Sequence, residues 1–358
     1  MVLFRFCRFI NSKGGDFVFT HPSPVMRGLF KEEAMCEDLA SVFHLVPERS
    51  SLCVWTQDAA AQGRALIMPY VATLDLDFKT DLQNSPRDLL LYFRGGCGHP
   101  NPSIRGIFAA GKMLRYDMVH GILAHRNASD IDMRCSCDIC DNHTPHRLVL
   151  EGYRRSKFCP VVPSNAQSSR RLSEIILSGC IPVFIGPPYH TLPLSLDIDY
   201  ASMAIFINIT NSVWIDKESP HYLQNRLVSH LWPLEDPSLE EHLVPLENIH
   251  EVVDYLRNFP TSEEARKRQS VLNQRYKFYY GAVPESDGGD GRQSELADIA
   301  MKHMCRHAAS ERRRLKLSIS QGITKDQHLT VRRGSSLMHD SKSAGTRSIW
   351  SILLRRPF

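Results

Sequence analysis

Arg171 and Glu174 stand three residues apart in the run Ser169-Arg-Arg-Leu-Ser-Glu174, a spacing that sets a guanidinium and a carboxylate on one side of a helix. A guanidinium grips phosphate through two parallel N–H donors, and a carboxylate one turn on can accept from hydroxyl groups. The pair suits a ligand carrying a diphosphate and a sugar. The same spacing also suits a surface ion pair of little energetic weight, and spacing alone favours that plainer reading.

The elements that must position the pair are legible around it. Leu172, Ile175, Ile176 and Gly179 recur at i, i+3, i+4, i+7, which predicts a helix over 169–178 with one buried face and a glycine stop. Arg171 then lies in the first turn, where N–H groups favour an anion. Phe158–Val162 reads as the strand before this helix and Ile181–Ile185 as the strand after it. Further strands are expected at Leu52–Trp55, Leu66–Met68, Leu89–Phe93 and Ala204–Ile209. Helices are expected around Met35–Phe43, Ile104–Gly111 and Glu247–Arg257, and over Ser262–Tyr279 with Ala265, Leu272, Tyr276 and Tyr279 on one side. Alternating strands and helices imply parallel sheets covered by helices. The polar stretch from His125 to His146 reads as a linker, so the expected architecture is α/β, with two Rossmann-like domains facing across a cleft. Residues 1–140 would form one domain, incomplete at its start, and residues 141–281 the ligand-binding one. Residues 282–358 would be a basic, poorly ordered tail.

The chain has 358 residues, 42% hydrophobic and 23% charged, and a net charge of +4. That composition excludes a disordered protein and a small disulfide scaffold. Lys302–Phe358 holds 13 Lys/Arg against 3 Asp/Glu, so the tail is basic and the rest mildly acidic. Such a tail reads as a solvated extension and not as a nucleic-acid arm. No apolar run reaches the roughly 18 residues that span a bilayer. Ten cysteines, and sequons at Asn127, Asn142 and Asn208, lean towards the secretory pathway.

Three runs carry a family resemblance: Ser156-Lys-Phe-Cys, Ser169-Arg-Arg-Leu-Ser-Glu and Gly179-Cys-Ile-Pro-Val-Phe-Ile. In this order and spacing they resemble the donor-domain signature of the exostosin family of glycosyltransferases. Gly15-Asp-Phe-Val-Phe-Thr-His-Pro and Leu91-Tyr-Phe-Arg-Gly add weaker support, and the likeness covers roughly residues 10–280. The resemblance implies a GT-B fold, a UDP-sugar donor, inversion at the anomeric carbon, a glycan acceptor, no metal or other cofactor, and residence at the Golgi membrane through an anchor not seen in this sequence. Plant and algal members of the family build cell-wall polysaccharides. It carries Arg171 over as the diphosphate ligand, Glu174 as the ribose or sugar ligand and Ser169 as part of the phosphate-binding turn. Where the family has a Pro-x-Gly loop, this chain has Val162-Pro-Ser-Asn-Ala; Asn165 tolerates the left-handed backbone that the glycine would supply. A second reading follows from that departure: a catalytically impaired member that acts only as a binding module.

An inverting transfer needs a base for the acceptor hydroxyl. His21, on the stretch resembling the family's histidine loop, is the first candidate and Asp16 the second; a structural hydrogen bond is an equal role for that histidine. Cys135, Cys137, Cys140 and His143 could hold zinc, but the missing second pair favours a disulfide among the cysteines. Asp75/Asp77, Asp130/Asp132 and Asp197/Asp199 each read D-x-D, too often to be a metal motif. Gly95-Gly-Cys-Gly98 is expected to shape the acceptor side of the cleft.

Overall fold

The computed structural model describes residues 18–20, 43–46, 65–72, 82–97, 109–125, 128–136, 146–163, 169–186, 192–211, 237–280 and 295–320. Residues Met1–Glu311 form one compact unit and Arg312–Phe358 another. Strands β1 (Val18–Thr20), β2 (Phe43–Val46) and β3 (Ala65–Ile67) pair in parallel in that order. A six-stranded parallel sheet follows, built from β4 (Leu89–Gly96), β5 (Ile131–Ser136), β6 (Ser156–Val161), β7 (Ile181–Ile185), β8 (Ile205–Ile209) and β9 (Leu243–Leu246). Its order is β5-β4-β6-β7-β8-β9.

Continuous apolar runs make strands that are covered on both faces, and alternation along them divides the core in two. Phe158, Ile181, Val183, Ile185, Ile205 and Ile207 face one side with Met118, Val119 and Ile122 of α1 (Ala109–His125) and Val252, Val253 and Leu256 of α5 (Glu251–Arg257). Cys159, Val161, Phe184 and Phe206 face the other. There they meet Leu150 and Tyr153 of α2 (His146–Arg155), Leu172, Ile175 and Ile176 of α3 (Arg171–Leu177), and Val271 of α6 (Thr261–Gln274). The short helix α4 (Tyr200–Met203) is capped by Asp199, which accepts from the Ser202 amide.

Several expectations need correction. The boundary near residue 140 falls inside one sheet, because β4 pairs with both β5 and β6. The presumed linker holds β5: Ile131, Met133 and Cys135 alternate with polar residues, the pattern of an edge strand with one buried face. The presumed tail holds α7 (Glu295–Ser320), whose Leu296, Ile299, Ala300 and Met304 are buried in the core. Phe43 lies in β2 and not in a helix; residues 35–42 and 52–55 lie outside the described residues. On α6 the buried positions are Glu264, Lys267 and Val271, and Ala265 is exposed. Lys267 Nζ donates to the Ala201 and Ala204 carbonyls at 2.9 and 2.8 Å, and Glu264 accepts from Lys157 at 3.1 Å. Apolar periodicity cannot find a face that hydrogen-bonded charges bury. Among the described residues no helix is long and apolar enough to cross a membrane.

Gly179 stops α3 as read, with φ of +70°. A Cβ there would sit 2.9 Å from Arg87 Nη2 and 3.1 Å from Leu272 Cδ2. That arginine donates to the Tyr153 and Ser156 carbonyls at 2.9 Å and to Ser178 at 3.2 Å, stapling the ends of α2 and α3 to the start of β6. Gly179→Ala is therefore expected to cost about 1–2 kcal/mol in urea unfolding, from the left-handed backbone alone, and more where Arg87 is displaced.

Candidate functional site

The chain leaves β4 for β5, then returns past β4 to lay down β6 and continues outward through β9. The reversal puts a topological switch point between β4 and β6, and open α/β sheets bind ligands in the crevice at the carboxyl ends of such strands. Arg171 comes to this edge. Its Nε donates to the Arg94 carbonyl at 2.8 Å, and its guanidinium carbon lies 5.6 Å from the centroid of the Phe93 ring. Gly95 makes room for it: a Cβ at that position would stand 2.7 Å from Arg171 Nη2. No described residue hydrogen-bonds or ion-pairs with Nη1 or Nη2, which leaves the fork of a half-buried guanidinium open. Gly95 and Gly96 thus lie beside Arg171, and Gly98 lies outside the described residues.

Glu174 does not pair with Arg171. Its side chain is only 4% exposed, and Oε1 lies 3.2 Å from His146 Nε2 and 3.3 Å from Arg170 Nε. Both contacts fall on Oε1. His146 is the first residue of α2, so the amino ends of α2 and α3 meet at this carboxylate. Tyr153 is buried nearby, its hydroxyl without a hydrogen-bond partner. Burial raises that hydroxyl's pKa; the Arg171 charge opposes the shift and the Glu174 charge adds to it. Ser169 is buried, and its carbonyl accepts from the Leu172 amide at 3.0 Å. The cap position belongs to Arg170, which makes no side-chain cap bond. His21, Asp16 and Asn165 lie outside the described residues.

Two residues at this edge had no signal in the sequence. His146 reaches Glu174 from 28 positions away. Arg115, in the middle of α1 and 2% exposed, donates through Nη1 to the Gly96 carbonyl and through Nη2 to the Val162 carbonyl, both at 3.2 Å. A lone arginine in a helix reads as solvent-facing unless the apolar stripe is seen to run through it. Leu114, Met118, Val119 and Ile122 do flank it on the buried face.

Among the described residues two disulfides tie the sheet, and Cys97–Cys135 is the one at this edge. Cys159–Cys180 joins β6 to the start of β7 across 21 residues, and Cys97–Cys135 joins the ends of β4 and β5. The partner of Cys135 is therefore Cys97 and not a neighbour in its own cluster; Cys137, Cys140 and His143 lie outside the described residues. Among the described residues no three His, Cys, Asp or Glu side chains gather as a metal site. Asp130 pairs with Arg257, Asp132 with Arg94, and Asp197 with Lys302 and His303, so these aspartates are spent on structure. Asp75 and Asp77 lie outside the described residues.

A family model described as the Exostosin GT47 domain matches residues 14–217. Two proteins of Arabidopsis thaliana are similar to parts of the chain. "Probable xyloglucan galactosyltransferase GT12" is 24% identical over 179 residues, 48% of this chain and 33% of that protein. "Probable xyloglucan galactosyltransferase GT17" is 31% identical over 103 residues, 26% of this chain and 22% of that protein. The matched segments thus span a third or less of these relatives' length.

Proposed function

This chain belongs to the exostosin GT47 family, and on that footing we propose that it transfers a sugar from a nucleotide-sugar donor to a polysaccharide. The observation that carries this reading is the open fork of Arg171 at the β4/β6 switch point. The donor is a UDP-sugar, with galactose favoured by the names of the two relatives and xyloglucan as the acceptor they suggest. Arg171 binds the diphosphate, and the Oε2 side of Glu174 accepts from a ribose or sugar hydroxyl. Ser169 and Asn165 contribute to the phosphate turn.

Transfer proceeds by a single displacement with inversion. The acceptor oxygen attacks the anomeric carbon while the bond to the diphosphate breaks. The electron pair leaves with the diphosphate, whose growing charge Arg171 meets. The acceptor proton passes to a base, for which His21 is our candidate. The six-stranded sheet suits the donor half of a GT-B pair, and β1–β3 suits part of the acceptor half. The site of action is the Golgi lumen.

The experiment offers UDP-galactose, UDP-xylose, UDP-glucose and UDP-glucuronic acid with xyloglucan oligosaccharides and reads acceptor mass. Gain of one hexose from UDP-galactose is the expected result; no transfer or donor hydrolysis with any of the four would sink the proposal. Gly95→Ala gives a sharper reading. The added Cβ meets the guanidinium of Arg171 at 2.7 Å and the ring of the buried Phe93 at 2.9 Å, so Arg171 swings aside and the ring shifts with it. Donor KM is expected to rise by about 10- to 100-fold from that misplacement, with the unfolding free energy in urea lowered by about 1–2 kcal/mol as the Phe93 ring gives way.

A further inference from the structure

We propose that Arg115 is a positioning residue for the donor: it fixes the gap between the carboxyl ends of β4 and β6 and so seats Arg171. This rests on the donor-site reading above. The side chain crosses the switch point from the face of the sheet that α1 covers. One terminal nitrogen holds Gly96, the last residue of β4, and the other holds Val162, the residue after β6, each at 3.2 Å. These two carbonyls lie on opposite sides of the crevice, so one planar guanidinium sets their separation. A guanidinium does this and an ammonium does not, because only the planar fork holds two acceptors at fixed spacing.

The link to Arg171 is direct. The guanidinium carbon of Arg115 lies 6.0 Å from the Phe93 ring centroid and that of Arg171 lies 5.6 Å from it, so both arginines lean on one ring. The backbone of Arg94-Gly95-Gly96 is then gripped twice. Arg171 takes the carbonyl of residue 94, and Arg115 takes that of residue 96. Gly95, between them, is the floor on which the Arg171 fork rests. Val162 also opens the connection that leads from β6 to Arg171. Freeing either carbonyl loosens the backbone that determines where Arg171 stands.

The test uses Arg115→Lys, which keeps the charge and one carbonyl bond, and Arg115→Met, which keeps the length and loses both. The full chain is titrated with UDP by calorimetry, and donor and acceptor KM are measured with UDP-galactose and a xyloglucan oligosaccharide. The expected result is a rise of about 10-fold or more in UDP Kd and donor KM for both variants, with acceptor KM within about twofold of the parent. A solely structural arginine would lower the unfolding midpoint and leave UDP Kd and both KM values of the folded fraction unchanged, and that result overturns the inference. Should Arg115→Met fail to fold, Arg115→Lys alone decides it by the same values. A parent chain that binds no UDP overturns the donor-site reading and this inference together. A parent chain that binds UDP beside variants of unchanged Kd overturns this inference alone.

Discussion

Arg171→Ala is expected to lower kcat/KM for the donor by about 10²- to 10³-fold, the usual cost of removing one preorganised partner of charge that develops in a transition state. The loss should fall on both kcat and donor KM, because the fork meets phosphate charge in the ground state and more of it at departure. Stability should change little. The side chain is half-buried and, among the described residues, makes one hydrogen bond, from Nε to the Arg94 carbonyl, worth about 1 kcal/mol. Steady-state kinetics beside a urea melt separates these effects. Arg171→Lys should recover part of the charge and none of the bidentate geometry, and so fall between the parent and alanine. If Arg171→Ala kept kcat/KM within about threefold while the parent was active, the donor site would have to lie elsewhere.

The second large effect concerns stability. Replacing Cys159 and Cys180 together by alanine is expected to cost about 3 kcal/mol, from the chain entropy that a 21-residue loop regains in the unfolded state. Both side chains are fully buried in the cluster that holds Leu172, Ile175 and Ile176, so lost packing adds to that figure. The loop contains the whole of α3, and with it Arg171 and Glu174. A urea titration of the oxidised parent and the double variant measures the difference. A change below about 1 kcal/mol would mean that packing in the helix–strand unit already restrains the unfolded loop.

Much of the six-stranded sheet was legible in the sequence because its strands are short apolar runs and its central helix has a clean period. Ile181–Ile185 and the buried face of α3 follow directly from residue types. What escaped was of two kinds. Edge elements carry weak patterns: β5 is half polar, and its charged Asp132 and Arg134 gave the look of a linker. Charges that are buried with partners look like surface charges: Lys267, Glu264 and Arg115 each sit on a core-facing side of a helix. The sequence placed Arg171 and Glu174 side by side, and the tertiary fold separates them. It hands the carboxylate to His146 and Arg170, and the guanidinium to a strand end 77 residues earlier. The Arg170 contact is an i,i+4 pair that local spacing allows, whereas the His146 and Arg94 contacts depend on which elements lie next to which.

Arginine also marks the two rims of the sheet differently. Arg87 fastens carbonyls beside the starts of β6 and β7, and burial together with the nearby Arg268 charge brings its pKa down to about 10. Arg115 and Arg171 hold carbonyls at the opposite rim, where a ligand would lie. Substitutions at Arg87 should therefore read out as stability, and those at Arg171 as donor affinity.

Helix α7 bears on what counts as the heritable piece of this protein. Its Leu296, Ile299 and Met304 share a cluster with Leu172 and Ile176, His307 rests against Phe43 at 5.4 Å, and His303 and Lys302 hold Asp197. The α7 residues in these contacts lie beyond residue 217, where the family match ends, as do β9, α5 and α6. The stretch that the family model matches is thus shorter than the compact unit Met1–Glu311. A fragment trimmed to the shared stretch would carry the signature of the lineage with its core laid open. Transplanting chemistry between such relatives calls for exchanging the later helices along with the motifs.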